Sequence, residues 1–155
     1  MGWSVRTLGF MRWVLLLLVA CVAIGCESSG RFEVMVRNQT DLPLSVGFVK
    51  NGPPVDLAWA SPTEMLLTRP KERNRRWGTV IPAGETGVIG PQQGKFKTGV
   101  TAFVAIYVGD KTTLDLTAVS SDSPDQLWIP IPNGRSAFEI HNDQGQLVAQ
   151  PLRRP

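Results

Sequence analysis

The chain has 155 residues and a formal charge of +3, and its first 25 residues hold two arginines and no acidic residue. The remainder is therefore nearly neutral, which excludes a protein-wide basic field of the kind that binds nucleic acid. Fifteen glycines and 12 prolines interrupt the chain too often for long helices, and one histidine with two cysteines leaves few ligands for zinc or another transition metal.

The first 25 residues are predicted to be an export signal. Arg6 and Arg12 precede an apolar run over residues 13–24, and Cys26 and a polar stretch follow it. This order of charged, apolar and small residues is typical of a secretory signal. The apolar run is about a dozen residues, whereas a helix that crosses the hydrocarbon of a bilayer needs roughly 20.

The end of this signal resembles a known processing site. The sequence Ala23-Ile24-Gly25-Cys26 resembles the lipobox of bacterial prolipoproteins. In that class the signal is cut before the cysteine, whose sulfur then carries a diacylglycerol. The resemblance implies that Cys26 is lipidated and that the lipid anchors the exported protein to a membrane of the bacterial cell envelope.

A second match to the same pattern is Leu18-Val19-Ala20-Cys21, so Cys21 is the alternative lipidation site. Cys26 is favoured because cleavage before it leaves a polar tether, whereas cleavage before Cys21 leaves an apolar stub. Cleavage before Cys26 also leaves no second cysteine for an intrachain disulfide, so the fold must depend on its hydrophobic core.

We divide the chain into a signal peptide over residues 1–25, a polar tether over 26–30, a single domain over 31–150 and a tail over 151–155. The mature chain of about 130 residues is long enough to bury the core of one domain.

The domain is predicted to be all-β. Apolar residues alternate with other residues over 32–36 and 44–48, which is typical of strands. Residues 77–81 and 86–89 flank the turn sequence Pro82-Ala83-Gly84-Glu85 and are predicted to form a hairpin. Residues 100–108 are almost all apolar, as expected of a central strand covered on both faces.

The C-terminal third continues this pattern. Alternation predicts a strand over 113–119, and Pro130 and Pro132 mark residues 127–131 as an edge strand. Two turn sequences, at 133–134 and 142–145, lead into strands over 136–141 and 146–149.

Short strands separated by such turns indicate an antiparallel β-sandwich or a partly open barrel. Residues 51–70 fit this pattern less well, and within them residues 62–67 are either a single helical turn or a loose strand.

The most pointed functional candidate is a basic loop over residues 69–76, which holds one acidic residue and the five cations Arg69, Lys71, Arg73, Arg75 and Arg76. Guanidinium groups suit phosphate or carboxylate because each offers a planar fork of donors. An anionic lipid, an acidic glycan or another envelope protein is the predicted partner. The competing interpretation is a solvated loop whose charges keep a sheet edge soluble, and this is the more common role of a run of charged residues.

Aromatic residues offer a second candidate. Trp59, Trp77, Tyr107 and Trp128 would form a stacking face for a sugar or a proline-rich peptide if they lay together on the surface. Packing in the core is the favoured interpretation, because all except Trp59 lie inside predicted strands.

Catalysis finds little support in the sequence. His141 is the only histidine, and no recognisable nucleophile motif accompanies it. We therefore predict a non-catalytic binding or structural module without cofactor or metal. The alternative is a hydrolase-like enzyme acting on envelope polymers, which would require a pocket around His141 with adjacent carboxylates.

Overall fold

The computed structural model describes residues 28–52 and 56–152. The predicted signal segment and both candidate lipidation sites, Cys21 and Cys26, lie outside the described residues. Within the described ranges, no helix combines the length and the apolar character needed to cross a bilayer.

The described chain is mostly β-strand. The strands are β1 (Ser28–Asn38), β2 (Leu44–Lys50), β3 (Thr79–Ile81), β4 (Thr86–Phe96), β5 (Ala102–Val108), β6 (Gln126–Pro130), β7 (Gly134–Asp143) and β8 (Gln146–Pro151). The helical segments are α1 (Pro62–Thr68), α2 (Thr113–Thr117) and the two 3₁₀ turns Leu57–Trp59 and Pro70–Glu72. β1 thus begins inside the stretch assigned to the tether, and β8 ends at the first residue assigned to the tail.

The strands form two four-stranded sheets. Sheet I has the order β4-β1-β7-β8, and sheet II has the order β3-β2-β5-β6. Every pair of neighbours is antiparallel except β1 and β7, which run parallel. The two sheets pack against each other around one hydrophobic cluster. The fold is therefore a β-sandwich, the first of the two predicted architectures.

The main core lies between the sheets. Because side chains alternate along a strand, β1 directs Phe32, Val34 and Val36 inward, and β2 directs Leu44, Val46 and Phe48 inward from the other sheet. Among the residues that the structure describes, every buried member of this core lies between residues 32 and 147. A chain that begins at Ser28 therefore contains both sheets and the complete core.

A second hydrophobic cluster covers the outer face of sheet II. In β5, Val104 and Ile106 face the main core, whereas Ala105 and Tyr107 face outward and pack with Leu116 of α2. β5 also lies between β2 and β6 in the sheet. The prediction of a central strand covered on both faces is confirmed, and the edge strand over 127–131 is confirmed as β6.

The predicted hairpin around Pro82 and Gly84 is wrong. β3, which precedes this turn, pairs with β2 in sheet II, whereas β4, which follows it, pairs with β1 in sheet I. The turn therefore carries the chain from one sheet to the other. A turn sequence specifies a reversal of the chain but not the strand with which the next segment pairs.

The last turn does form a hairpin. β7 and β8 pair with Asp143 opposite Gln146, and the two residues between them, Gln144 and Gly145, have φ of 51° and 86°. Positive φ at both positions is what a two-residue type I′ turn requires, and it matches the twist of the flanking strands.

The strand predicted over residues 113–119 is also wrong, because Thr113–Thr117 forms α2. The Thr112 side chain accepts a hydrogen bond from Asp115 N, and the Asp115 carboxylate accepts from the Thr112 hydroxyl and backbone N–H. These two donors lower the pKa of the Asp115 carboxyl. The reciprocal bonds are a capping box, which starts a helix locally and overrides the alternation of apolar residues.

A capping box also explains why residues 62–67 form a helical turn and not the loose strand that was the other alternative. Ser61 and Glu64 bond reciprocally, and Pro62 occupies the first helical position, where its missing N–H costs nothing. The segment is the helix α1, so the helical alternative is correct.

Charge placed in the main core should unfold the domain. Ile106 is fully buried, whereas Val88 is 58% exposed on a strand of sheet I. We expect Ile106→Asp to lower the free energy of unfolding by about 4 kcal/mol or more, because it buries an uncompensated carboxylate. Val88→Asp places the same group in water and should cost about 1 kcal/mol or less. Urea unfolding followed by circular dichroism measures both, and equal stability of the two variants would contradict the placement of β5.

Candidate functional site

The basic loop connects α1 to the residues that precede β3. Residues 70–72 form the second 3₁₀ turn, and every residue from Arg69 to Arg76 is exposed except Glu72, which is half-buried. The structure therefore brings the five cations of the loop to the protein surface.

The backbone of the loop is held by α2. Thr113 N and Leu114 N donate hydrogen bonds of 2.9 Å to the carbonyl oxygens of Arg75 and Arg73. Thr113 Oγ1 adds a third bond, of 3.2 Å, to Arg75 O. The first amides of a helix have no partner within the helix, so the loop supplies their acceptors. The capping box that starts α2 thereby also fixes the conformation of the basic loop.

Carboxylates pair with three of the five cations. Glu72 bridges two arginines, with Arg69 Nη1 3.2 Å from Oε1 and Arg75 Nη1 3.5 Å from Oε2. Arg76 Nη2 lies 2.7 Å from Asp110 Oδ2. Within the described ranges, the other two cations of the loop form no ion pair. Five cations thus face two carboxylates, and the loop keeps an excess of positive charge.

Beneath these ion pairs lies a cavity of about 400 Å³, which we call the arginine cavity. Its charged lining is formed by Arg69, Glu72, Arg75 and Arg76, and its apolar lining includes Phe48, Leu57, Met65 and Trp77. Gly78, which also lines it, has φ of +69°, and a Cβ there would come within 2.3 Å of the carbonyl oxygen of Val46. Glycine is therefore required where the loop returns to sheet II.

The arginine cavity has the chemistry to bind an anionic group. Guanidinium donors recognise phosphate and carboxylate oxygens through charge-assisted hydrogen bonds. Glu72 already supplies one carboxylate, but its buried Oε2 accepts no hydrogen bond and approaches Arg75 only at ion-pair distance. An external anion would therefore replace the Glu72 carboxylate as the partner of these arginines, because one oxygen of that carboxylate accepts no hydrogen bond.

The four aromatic candidates do not form one stacking face. Trp59 is fully buried in the main core, and Trp77 packs on Tyr107 in the outer cluster with ring centroids 5.4 Å apart. Trp128, 41% exposed, donates from Nε1 to the Tyr107 hydroxyl at 3.3 Å. Burial raises the pKa of Tyr107, and this hydrogen bond opposes the increase. Core packing is correct for three of the four residues.

His141 lies on the outward face of sheet I, whereas the arginine cavity lies on the opposite side of the sandwich. Its Nε2 is 3.0 Å from Glu139 Oε1, and Glu139 Oε2 is 3.4 Å from Arg37 Nη1. Among residues 28–52 and 56–152, no group of three or more histidine, cysteine, aspartate or glutamate side chains is placed to hold a metal ion.

The sequence interpretation missed the partners of the basic loop. Glu72 stands three residues from both Arg69 and Arg75, a spacing that pairs side chains on a helical turn, so a local signal existed. No local signal identifies Asp110, which reaches Arg76 only because α2 packs against the loop.

Comparison of the chain with models of protein families, with curated proteins and with solved structures gives no significant match.

The arginines should contribute little to folding. We expect the triple variant Arg73→Ser, Arg75→Ser, Arg76→Ser to change the free energy of unfolding by about 1 kcal/mol or less, because exposed ion pairs contribute little. Gly78→Ala is the contrasting variant and should cost about 2–3 kcal/mol, since it strains the backbone and forces a clash. Chemical denaturation of both variants measures the difference. A loss of several kcal/mol in the triple variant would show that these arginines hold the fold together.

Proposed function

We propose that this chain is a lipid-anchored lipoprotein of a bacterial cell envelope, and that its β-sandwich is a non-catalytic module that binds an anionic group. The observation that carries the binding role is the arginine cavity of about 400 Å³, whose lining includes three arginines and one glutamate. The order of residues before Cys26 supports the lipoprotein assignment.

The distribution of charge supports an anionic ligand. Without the signal segment the chain has a formal charge of about +1, and the basic loop alone carries five cations and one carboxylate. The rest of the mature chain is thus mildly acidic, and the positive potential is concentrated at the loop. In a cell envelope, phosphorylated lipid headgroups and acidic glycans are the anions that such a loop would meet.

Lipidation at Cys26 would make weak contacts effective. Only residue 27 separates Cys26 from the first residue of β1. An extended chain spans about 3.5 Å per residue, so the domain would be held within roughly 10 Å of its anchor. Such a short tether gives a high effective concentration of domain at the membrane surface.

A non-catalytic role fits the surroundings of the histidine. A hydrolase-like enzyme would need His141 and carboxylates to converge in a pocket. The carboxylate beside His141 is Glu139, which also pairs with Arg37 on the outward face of sheet I.

Lipidation is tested on the full chain produced in bacterial cells. Intact-mass and peptide mass spectrometry should find a diacylglyceryl group on Cys26 at the new amino terminus. Cys26→Ala should abolish acylation, whereas the matched variant Cys21→Ala should leave it unchanged. Loss of acylation only in Cys21→Ala would move the site to Cys21, and an unacylated native chain that keeps its signal would overturn the lipoprotein proposal.

Anion binding is tested with the chain that begins at Ser28, which carries no lipid. It should bind vesicles containing phosphatidylglycerol more tightly than neutral vesicles, and the preference should fall as salt shortens the Debye length. The triple serine variant should lose about a hundredfold in affinity, since each cation near an anionic surface contributes about 1 kcal/mol. Sedimentation of protein with vesicles measures both.

The control for this experiment is the double variant Arg37→Ser, Arg135→Ser, which removes two exposed arginines from the outward face of sheet I. It should retain most of the affinity. If the double variant loses the preference for anionic vesicles while the triple variant keeps it, the basic loop is not the binding surface.

A further inference from the structure

Lys50 is a buried cation that has no hydrogen-bond partner among the described residues. It ends β2 and continues the inward-facing series of Leu44, Val46 and Phe48, so its stem enters the space between the sheets. The side chain is only 6% exposed, and its buried Nζ forms neither a hydrogen bond nor an ion pair with any residue that the structure describes. Burial of an ammonium group is costly unless an anion compensates it.

The contact that Nζ does make is with an aromatic ring. It lies 5.8 Å from the centroid of Phe96, and Phe96 itself packs against Phe32 and Trp59 with centroid distances of 5.1 Å. A cation–π contact replaces only part of the hydration that an ammonium loses on burial. Burial of the side chain beside this ring nevertheless limits the positions that the ammonium group can take.

Lys50 lines a cleft of about 980 Å³, which we call the lysine cleft. Sheet I contributes the start of β1 around Gly30 and the end of β4 around Gly94, and Leu57 of the first 3₁₀ turn contributes another wall. A volume of this size is typical of sites that hold a small organic ligand.

The charge of the lysine cleft favours an anion. Arg31 and Lys95 line it beside Lys50, and within the described part of the chain neither forms an ion pair. Asp56, the one carboxylate among the described lining residues, accepts a hydrogen bond of 3.0 Å from Ala58 N and forms no ion pair with Lys50. Three cationic residues and one carboxylate thus line the cleft, and the carboxylate is already engaged in capping a turn.

A neutral donor completes the set. Asn133 Oδ1 accepts from Arg31 N at 2.9 Å, which fixes the orientation of the side-chain amide and leaves its NH₂ group to donate. The cleft therefore combines one buried cation, two exposed cations and one amide donor on four separate segments of the chain.

We propose that the lysine cleft binds a phosphate group, with Lys50 as its buried cation. A phosphate monoester carries about −1.5 to −2 charges at pH 7 and offers three acceptor oxygens. These match the cationic excess of the cleft and its several donors, whereas a carboxylate brings one charge on two oxygens. The remaining volume accommodates the group to which the phosphate is esterified.

The phosphate comes from a phospholipid headgroup or from a soluble phosphate ester. Ser29 lines the cleft and lies three residues after Cys26, so lipidation at Cys26 would hold the cleft beside the headgroups of the bilayer. Phosphate recognition itself does not depend on the anchor, so it can be tested on a chain without lipid.

The test is calorimetric titration of the chain that begins at Ser28, first with glycerol 3-phosphate and then with vesicles containing phosphatidic acid. Lys50→Met should weaken phosphate binding about tenfold or more, because a charge-assisted hydrogen bond is lost. The matched control Lys71→Met removes an exposed cation of the basic loop and should change the affinity for glycerol 3-phosphate less than about twofold. Lys50→Met should be at least as stable as the native chain, because it removes an uncompensated buried charge.

A second variant, Lys95→Gln, changes an exposed residue of the cleft and should also weaken binding without affecting the core. Binding of glycerol 3-phosphate identifies a soluble ester as a ligand, and binding of phosphatidic acid vesicles alone identifies the lipid headgroup. Either result supports the site if both variants weaken it. The triple serine variant of the basic loop should still bind glycerol 3-phosphate, and this result does not depend on whether the arginine cavity binds an anion.

Three results would overturn the proposal. The first is the absence of binding to either phosphate source. The second is equal affinity of the native chain and Lys50→Met. The third is loss of binding in the triple serine variant with Lys50→Met unaffected, which would assign the phosphate to the arginine cavity.

Discussion

The side-chain amide of Asn38 ties together the first two places where the chain crosses between the sheets. Asn38 is fully buried at the end of β1, and its Nδ2 donates to the carbonyl oxygens of Leu42, Ile81 and Pro82 at 2.9–3.1 Å. Its Oδ1 accepts from the backbone N–H and hydroxyl of Thr40. The segment that crosses from β1 to β2 and the segment that crosses from β3 to β4 are thus both hydrogen-bonded to the Asn38 side chain, whose donor and acceptor atoms all have partners. A buried polar group that is fully hydrogen-bonded stabilises a single arrangement, here the placement of sheet II against sheet I.

The positions of both cationic cavities follow from that placement. With sheet II fixed, β5 has the main core on one face and the two helices on the other, and the first amides of α2 hold the basic loop. The same arrangement leaves the end of β2 facing the start of β1 and the end of β4, where Lys50 enters the lysine cleft. Leu57 lines both the arginine cavity and the lysine cleft, so a single 3₁₀ turn separates them. A chain with little net charge therefore concentrates cations in one region of its surface.

The two cavities differ in how their positive charge is balanced. In the arginine cavity, Glu72 lies between Arg69 and Arg75 and reduces their mutual repulsion, so a ligand must displace or share an internal carboxylate. In the lysine cleft, the aromatic face of Phe96 supports Lys50 and the nearby carboxylate caps a turn instead. We therefore expect the basic loop to make weak, exchangeable contacts with an anionic surface, and the lysine cleft to select one kind of group. An exposed charge is readily screened by salt, whereas a buried one is screened much less.

Features that depend on near neighbours along the chain could be predicted from the amino-acid sequence. Alternation identified β1 and β2, the apolar run identified β5, and the turn at Gln144 and Gly145 identified the last hairpin. Strand pairing could not be predicted in this way, because a turn such as that after Ile81 does not specify a partner. The packing of the two sheets also places Lys50 in a cleft that Arg31 and Lys95 line. The second half of β4 illustrates why the lysine cleft could not be predicted from a sequence pattern. Before the bulge at Gly90 and Pro91, odd-numbered residues such as Ile89 face inward, and after it the even-numbered residues Gly94 and Phe96 do. The residues that form this wall of the lysine cleft therefore follow no regular period in the sequence. Contacts between segments far apart in the chain leave no local pattern, and packing of the two sheets creates them.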